Sequence, residues 1–86
     1  MMTTATFAGG GLVTTVQNRM VSVEVVDNNI YNITVLNETD RFISTRSMTQ
    51  RTGTFVVEIP EGSDYIEVIA TNILTGATEV IKLRAE

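Results

Sequence analysis

The side chains that could do chemistry here are acids, because histidine and cysteine are absent from all 86 residues. Without them the chain has no imidazole base, no thiol nucleophile and no His or Cys ligand for zinc. The ten Asp and Glu residues are scattered. Two carboxylates hydrolyse a glycosidic bond only when they lie about 5 to 10 Å apart in a cleft, for which so short a chain has little room. The sequence therefore predicts a protein that is not an enzyme.

Metal and phosphate sites are not indicated either. Residues 27–29, Glu61 and Asp64 are typical of turns, since Asn and Asp bond their own backbone, and they lack the D-x-[DN]-x-[DN]-G spacing of a calcium loop. The glycines at 9–11 are not followed by the lysine of a phosphate-binding loop. We expect no metal and no cofactor.

The charge of the chain bears on its partners. A formal net charge of −4 and an isoelectric point of about 4.6 argue against binding to nucleic acid, which requires a basic face. No apolar run approaches the roughly 18 residues of a membrane span. The N-terminus lacks the positive start and apolar block of a secretory signal, so we expect synthesis in the cytoplasm. The final location would be a virion or, alternatively, a cell surface.

Apolar residues alternate with polar ones over most of the chain, which predicts short strands with one face on a core. The expected inward sets are Val21, Val23 and Val25; Tyr31, Ile33 and Val35; Phe55, Val57 and Ile59; Ile66, Val68 and Ala70; Ile81 and Leu83. A further strand over 12–17 is expected at a sheet edge. Val56, Ile69 and Val80 fall on the outward faces, where they would form a patch or a second contact.

The last third of the chain carries a resemblance. The pattern G-x-F-x-x-x-I-P-x-G from Gly53 to Gly62, then I-x-V-x-A-x-N and a glycine turn, resembles the C-terminal half of bacterial immunoglobulin-like and fibronectin-III-like domains. The resemblance implies an immunoglobulin-like β-sandwich of about seven short antiparallel strands. In such a domain Gly53 and Phe55 would open strand E, and Ile66, Val68 and Ala70 would be the inward residues of strand F. One feature leaves the strand order open: the short turn at 27–29 is typical of a hairpin within one sheet, whereas such a sandwich crosses between sheets there.

Two segments are candidate contact surfaces. Residues 1–11 are uncharged and end in three glycines. This composition predicts a flexible N-terminal arm, followed by a sandwich domain over 12–86. Because the arm is β-prone, it would add a strand to the sheet of a neighbouring subunit. The irregular segment 37–52 holds a short strand and half of the six basic residues, which either form surface ion pairs or dock a partner. The candidate contact residues are Thr3, Thr4, Thr6, Phe7, Arg41, Arg46 and Arg51.

These features favour a structural or interaction protein over an enzyme. The leading hypothesis is an accessory virion subunit, such as a phage capsid decoration protein, that binds a repeating protein lattice through its arm and one loop. The same surfaces leave a homo-oligomer open. The alternatives are a cell-surface spacer or adhesion module and a small glycan-binding module, and the latter requires Tyr31 and Tyr65 to be exposed on one face.

Overall fold

The computed structural model describes residues 4–9, 11–37 and 42–85, and these form strands, turns and loops without a helix. Among these residues there is accordingly no helix long and apolar enough to cross a membrane. The strands are β1 (Thr4–Gly9), β2 (Leu12–Gln17), β3 (Met20–Val25), β4 (Tyr31–Asn37), β5 (Phe42–Met48), β6 (Phe55–Glu58), β7 (Tyr65–Asn72) and β8 (Thr78–Arg84).

The strands form two antiparallel sheets of four strands each. The first has the order β1-β2-β3-β6 and the second the order β5-β4-β7-β8. β1 contacts β8 on one side of the molecule, and β5 contacts β6 on the other. The expectation of an all-β fold with antiparallel strands is confirmed.

The core lies between the two sheets and consists mainly of the alternating sets that the sequence predicts. Val21, Val23, Ile33, Val35, Ile66 and Val68 are fully buried, and the other members of the inward sets are buried except Leu83, which is partly buried and packs against the core. Thr14 is also fully buried, and its hydroxyl has no hydrogen-bond partner within the described part of the chain. Alternation at period 2 therefore identified the core correctly in these strands.

The N-terminal segment differs from the expectation. The backbone of Thr4–Gly9 is strand β1, paired with β2 of the same chain from Thr4 opposite Gln17 to Gly9 opposite Leu12. β2 therefore lies inside the sheet, and its prediction as an edge strand was wrong. Residues 1–3 and 10, which belong to the predicted flexible arm, lie outside the described residues.

The connection between β3 and β4 crosses from one sheet to the other. After β3, the Val26 amide still donates to the carbonyl of Gly11 at 2.8 Å, so that this strand pairing continues for one more residue. Residues 27–30 then lead to β4 in the second sheet. The turn at 27–29 therefore joins the two sheets and does not close a hairpin within one of them.

The irregular segment contains a longer strand than the sequence predicts. Phe42–Met48 pairs with β4, with a bulge at Val35 and Leu36, rather than with β6. Met48 is fully buried.

Of the predicted outward apolar residues, Ile69 and Val80 are cross-strand partners in the second sheet, whereas Val56 lies in the first sheet, so the three do not form one patch.

Candidate functional site

Three loops meet at one end of the two sheets. They are residues 26–30 after β3, residues 49–54 after β5 and residues 73–77 after β7, and we call this region the loop end. The strand register brings them together, because Tyr31 at the start of β4 lies opposite both Met48 and Asn72. Hydrogen bonds join the loops: Gln50 Nε2 donates to the Val26 carbonyl at 2.9 Å, and the Ile73 amide donates to the Ile30 carbonyl at 3.1 Å.

Asp27 organises the first of these loops. Its carboxylate accepts hydrogen bonds from the Tyr31 hydroxyl at 2.7 Å, the Asn29 amide at 3.0 Å and the Asn29 side chain at 2.9 Å. Gly11 lies against this cluster with a φ of +82°, and a Cβ there would overlap the Asp27 carboxylate and lie 2.6 Å from the Tyr31 hydroxyl. The glycine is thus required both by its backbone conformation and by the closeness of Asp27.

The hydrogen bonds change the acidity of both partners. The Tyr31 hydroxyl, followed by the Asn29 amide, holds the pKa of Asp27 below its usual value of 3.8. Burial and the bond to Asp27 raise the pKa of Tyr31 above 10.0. At neutral pH the pair is therefore an ionised carboxylate and a neutral phenol, and the carboxylate, already bonded three times, is a poor general base.

A shallow polar cleft of about 220 Å³ lies between two of the loops. It is lined by Asp27, Asn28, Asn29, Thr49, Gln50 and Arg51. Arg51 is exposed and makes no ion pair in the part of the chain that the structure describes. Within the same ranges no three side chains of the His, Cys, Asp and Glu types come together as metal ligands. The cleft has the donors and acceptors of a contact surface.

The predicted contact residues that the structure describes do not lie on one surface. Thr4, Thr6 and Phe7 lie in β1, opposite Gln17, Thr15 and Thr14 by register, while Thr3 and Arg41 lie outside the described residues. Arg46 lies in edge strand β5, with its guanidinium 6.0 Å from the centre of the Phe55 ring. Because β1 and β5 border opposite sides of the sandwich, the arm and the arginine segment face different directions. Of the predicted contact residues that the structure describes, Arg51 belongs to the loop end, and Arg46 contacts it by donating from Nη2 to the Thr52 carbonyl at 3.4 Å.

The two tyrosines proposed for glycan stacking are separated. Tyr31 is 6% exposed and belongs to the core, whereas Tyr65 is 46% exposed, with the Arg84 guanidinium 5.7 Å from its ring centre. Tyr31 lies opposite Asn72, at the other end of the eight-residue strand β7 from Tyr65. The two rings therefore do not form a common exposed surface.

Sequence reasoning missed the turn after β7 as part of the candidate site. Ile73 and Leu74 are exposed there, in a segment that the sequence predicts only as a glycine turn, and Gly76 of this turn has a positive φ. The available signal was the pair of large aliphatic residues inside a turn bounded by Asn72 and Gly76, where polar residues are usual.

The fold and the loop end together define a small all-β protein of two four-stranded sheets with a candidate recognition surface at one end. Comparison of the chain with protein-family models, with curated proteins and with solved structures found no match.

Proposed function

We propose that this chain is a non-enzymatic interaction subunit with an immunoglobulin-like fold, and that it binds a repeating protein assembly such as a capsid shell. The strand order supports the fold. If β2, β3 and β6 correspond to strands A, B and E, they form the sheet that such domains build from these strands, and β4, β7 and β8 correspond to C, F and G. β5 then takes the place of C′ beside C, and β1 is an addition next to A.

The observation that carries the proposed function is the linked set of loops at the loop end. Binding residues are commonly placed on loops held by a rigid scaffold, and here hydrogen bonds connect loop 26–30 to both neighbouring loops. A surface that is already ordered loses little conformational entropy when a partner binds. Arg51 supports a protein partner in particular, since an exposed guanidinium suits bidentate bonds to carboxylates.

The primary test is the mass of the native species that contains this chain, measured by size exclusion with light scattering on material from its source. We expect the 9.4 kDa chain to elute with a much larger assembly. A small free species, or a chain that occurs only inside a longer polypeptide, would contradict the proposal.

A charge reversal then tests the surface. Arg51→Glu is expected to weaken retention in the assembly, because Arg51 lies at the loop end. Arg84→Glu makes the same change in charge at the opposite end of the second sheet, beside Tyr65, and should retain binding. Equal retention of both variants would remove the loop end from the proposal.

A further inference from the structure

The turn after β7 carries the most exposed of the large apolar side chains whose exposure the structure describes. Leu74 is 75% exposed and its neighbour Ile73 is 48% exposed. Single exposed apolar residues are common on protein surfaces. Two adjacent ones on a turn are informative when the turn is also held in one conformation, because an anchor residue gains most when it is ordered before it binds.

Hydrogen bonds hold this turn in place. The buried Asn72 accepts from the amides of Leu74 and Thr75 through Oδ1, at 2.9 and 3.2 Å. The Asn72 carbonyl accepts from the Gly76 amide at 2.8 Å, and the Asn72 amide donates to the Ala77 carbonyl at 2.8 Å. The bond from Ile73 to Ile30 ties the turn to the neighbouring loop. Ile73 and Leu74 are therefore presented on a constrained backbone.

The charge near the turn distinguishes among its potential occupants. Residues 72–78 contain no charged side chain, and the chain as a whole carries a formal charge of −4. The turn thus has no cation of its own to attract anionic lipid headgroups. A second copy of this chain would bring another formal charge of −4 to the contact, which argues against self-association through this turn.

We propose that Ile73 and Leu74 anchor the loop end in an apolar pocket of a protein partner. Arg51, on the other side of loop 26–30, contacts a carboxylate on the rim of that pocket. This inference rests on the proposed function, because it specifies which residues of the loop end bind and what chemistry the partner presents.

The test is competition for the assembly isolated from the source. Labelled wild-type chain is bound to the assembly, and unlabelled full-length variants compete with it. Leu74→Ser is expected to compete about 10- to 100-fold more weakly than wild type, the change for losing one buried aliphatic side chain. Val80→Thr is the matched control, because Val80 is 57% exposed on the outer face of the second sheet, and it should compete as wild type does.

The rigidity of the turn is tested in the same assay. Asn72→Ala removes the acceptor for the Leu74 and Thr75 amides and should weaken competition while Leu74 is retained. Asn72→Asp keeps an oxygen at that position and should compete better than Asn72→Ala. Circular dichroism and urea unfolding of each variant show whether the chain is still folded when the turn is loosened. A folded Asn72→Ala variant that competes as wild type does would contradict the claim that the ordered turn contributes to binding.

The outcomes separate the two proposals. If wild-type chain does not associate with any large assembly, the proposed function fails. If wild type associates and Leu74→Ser competes equally well, the anchor fails while the proposed function stands. Two other results would overturn the protein pocket. If wild type binds phosphatidylcholine vesicles and Leu74→Ser does not, the turn binds a membrane. If light scattering shows concentration-dependent dimerisation of wild type that Leu74→Ser lacks, the turn binds a second copy of the chain.

Discussion

At the scale of single residues, Asp27 connects several segments at the loop end, and the sequence indicates only one of these contacts. The sequence predicts a turn residue at this position, and the bond that Asp27 accepts from the Asn29 amide agrees with that role. Its bond to Tyr31 and its contact with Gly11 add two further segments. One carboxylate thus joins the turn after β1, the crossing between the sheets and the start of β4.

Gly11→Ala tests the packing against Asp27. The variant places a side chain at positive φ and in the space of the carboxylate, and we expect a loss of about 2 to 4 kcal/mol in the free energy of unfolding. Gly76→Ala is the control, since Gly76 has a similar φ of +75° but no atom within 4 Å of the added Cβ; its loss should be about 1 kcal/mol. Urea unfolding measures both, and equal losses would show that Asp27 does not pack on Gly11.

The Asp27–Tyr31 hydrogen bond predicts a dependence of stability on pH. The folded pKa of Asp27 is lowered, so the stabilisation is present above the unfolded value of 3.8 and is lost as the pH falls through the folded value. Tyr31→Phe removes the largest cause of this shift. We expect it to cost about 1 kcal/mol at neutral pH, after allowance for solvent screening of this half-buried carboxylate.

The difference between wild type and Tyr31→Phe should shrink as the pH falls below 3.8, and thermal unfolding between pH 2 and 7 measures it. It should also shrink at alkaline pH, because the raised pKa of Tyr31 means that its stabilisation is lost as the pH rises through the folded value. Tyr65→Phe, at the other end of β7, is the control. A Tyr31→Phe difference that does not change with pH would show that Asp27 ionisation is not coupled to Tyr31.

At the scale of elements, β1 has the largest consequence for experiments. It covers the edge of β2, whose sequence LVTTVQ is uncharged and rich in β-branched residues. A bare edge of this kind pairs readily with other chains. Deleting residues 1–11 would therefore not isolate the predicted partner contact of the arm, because the deletion also removes a strand of the sheet.

Deletion of residues 1–9 should lower the free energy of unfolding and promote self-association. The loss is expected to be on the order of 2 to 4 kcal/mol, since each ladder hydrogen bond contributes about 0.5 to 1.5 kcal/mol net. Urea unfolding and dynamic light scattering measure the two effects, and deletion of residues 1–3 is the control. A 1–9 deletion with wild-type stability and a monomeric size would contradict the place of β1 in the sheet.

At the scale of the whole molecule, the candidate surfaces face different directions. The loop end lies at one end of the sheets, β1 borders the side that contains β8, and Arg46 lies on the side where β5 meets β6. A partner that used β1 together with Arg46 and Arg51 would have to contact two opposite sides of the sandwich.

The sequence by itself determined the all-β class, the alternating inward residues and most of the turns. These features follow from local physics: the side-chain period of a strand is 2, and Gly, Asn and Asp are favoured where the chain turns. Val21, Ile33 and Ile66 were identified as core residues on this basis, and each is fully buried.

Only the tertiary structure decided how the strands pair and which loops meet. The pairing of Thr4–Gly9 with β2, the position of β5 beside β4 and the bond between Asp27 and Tyr31 depend on the assembled sheets. Alternation shows which face of a strand is buried but carries no information about the neighbouring strand. The loop end exists because the register places Tyr31 opposite both Met48 and Asn72, and such long-range contacts are set by how the two sheets pack together.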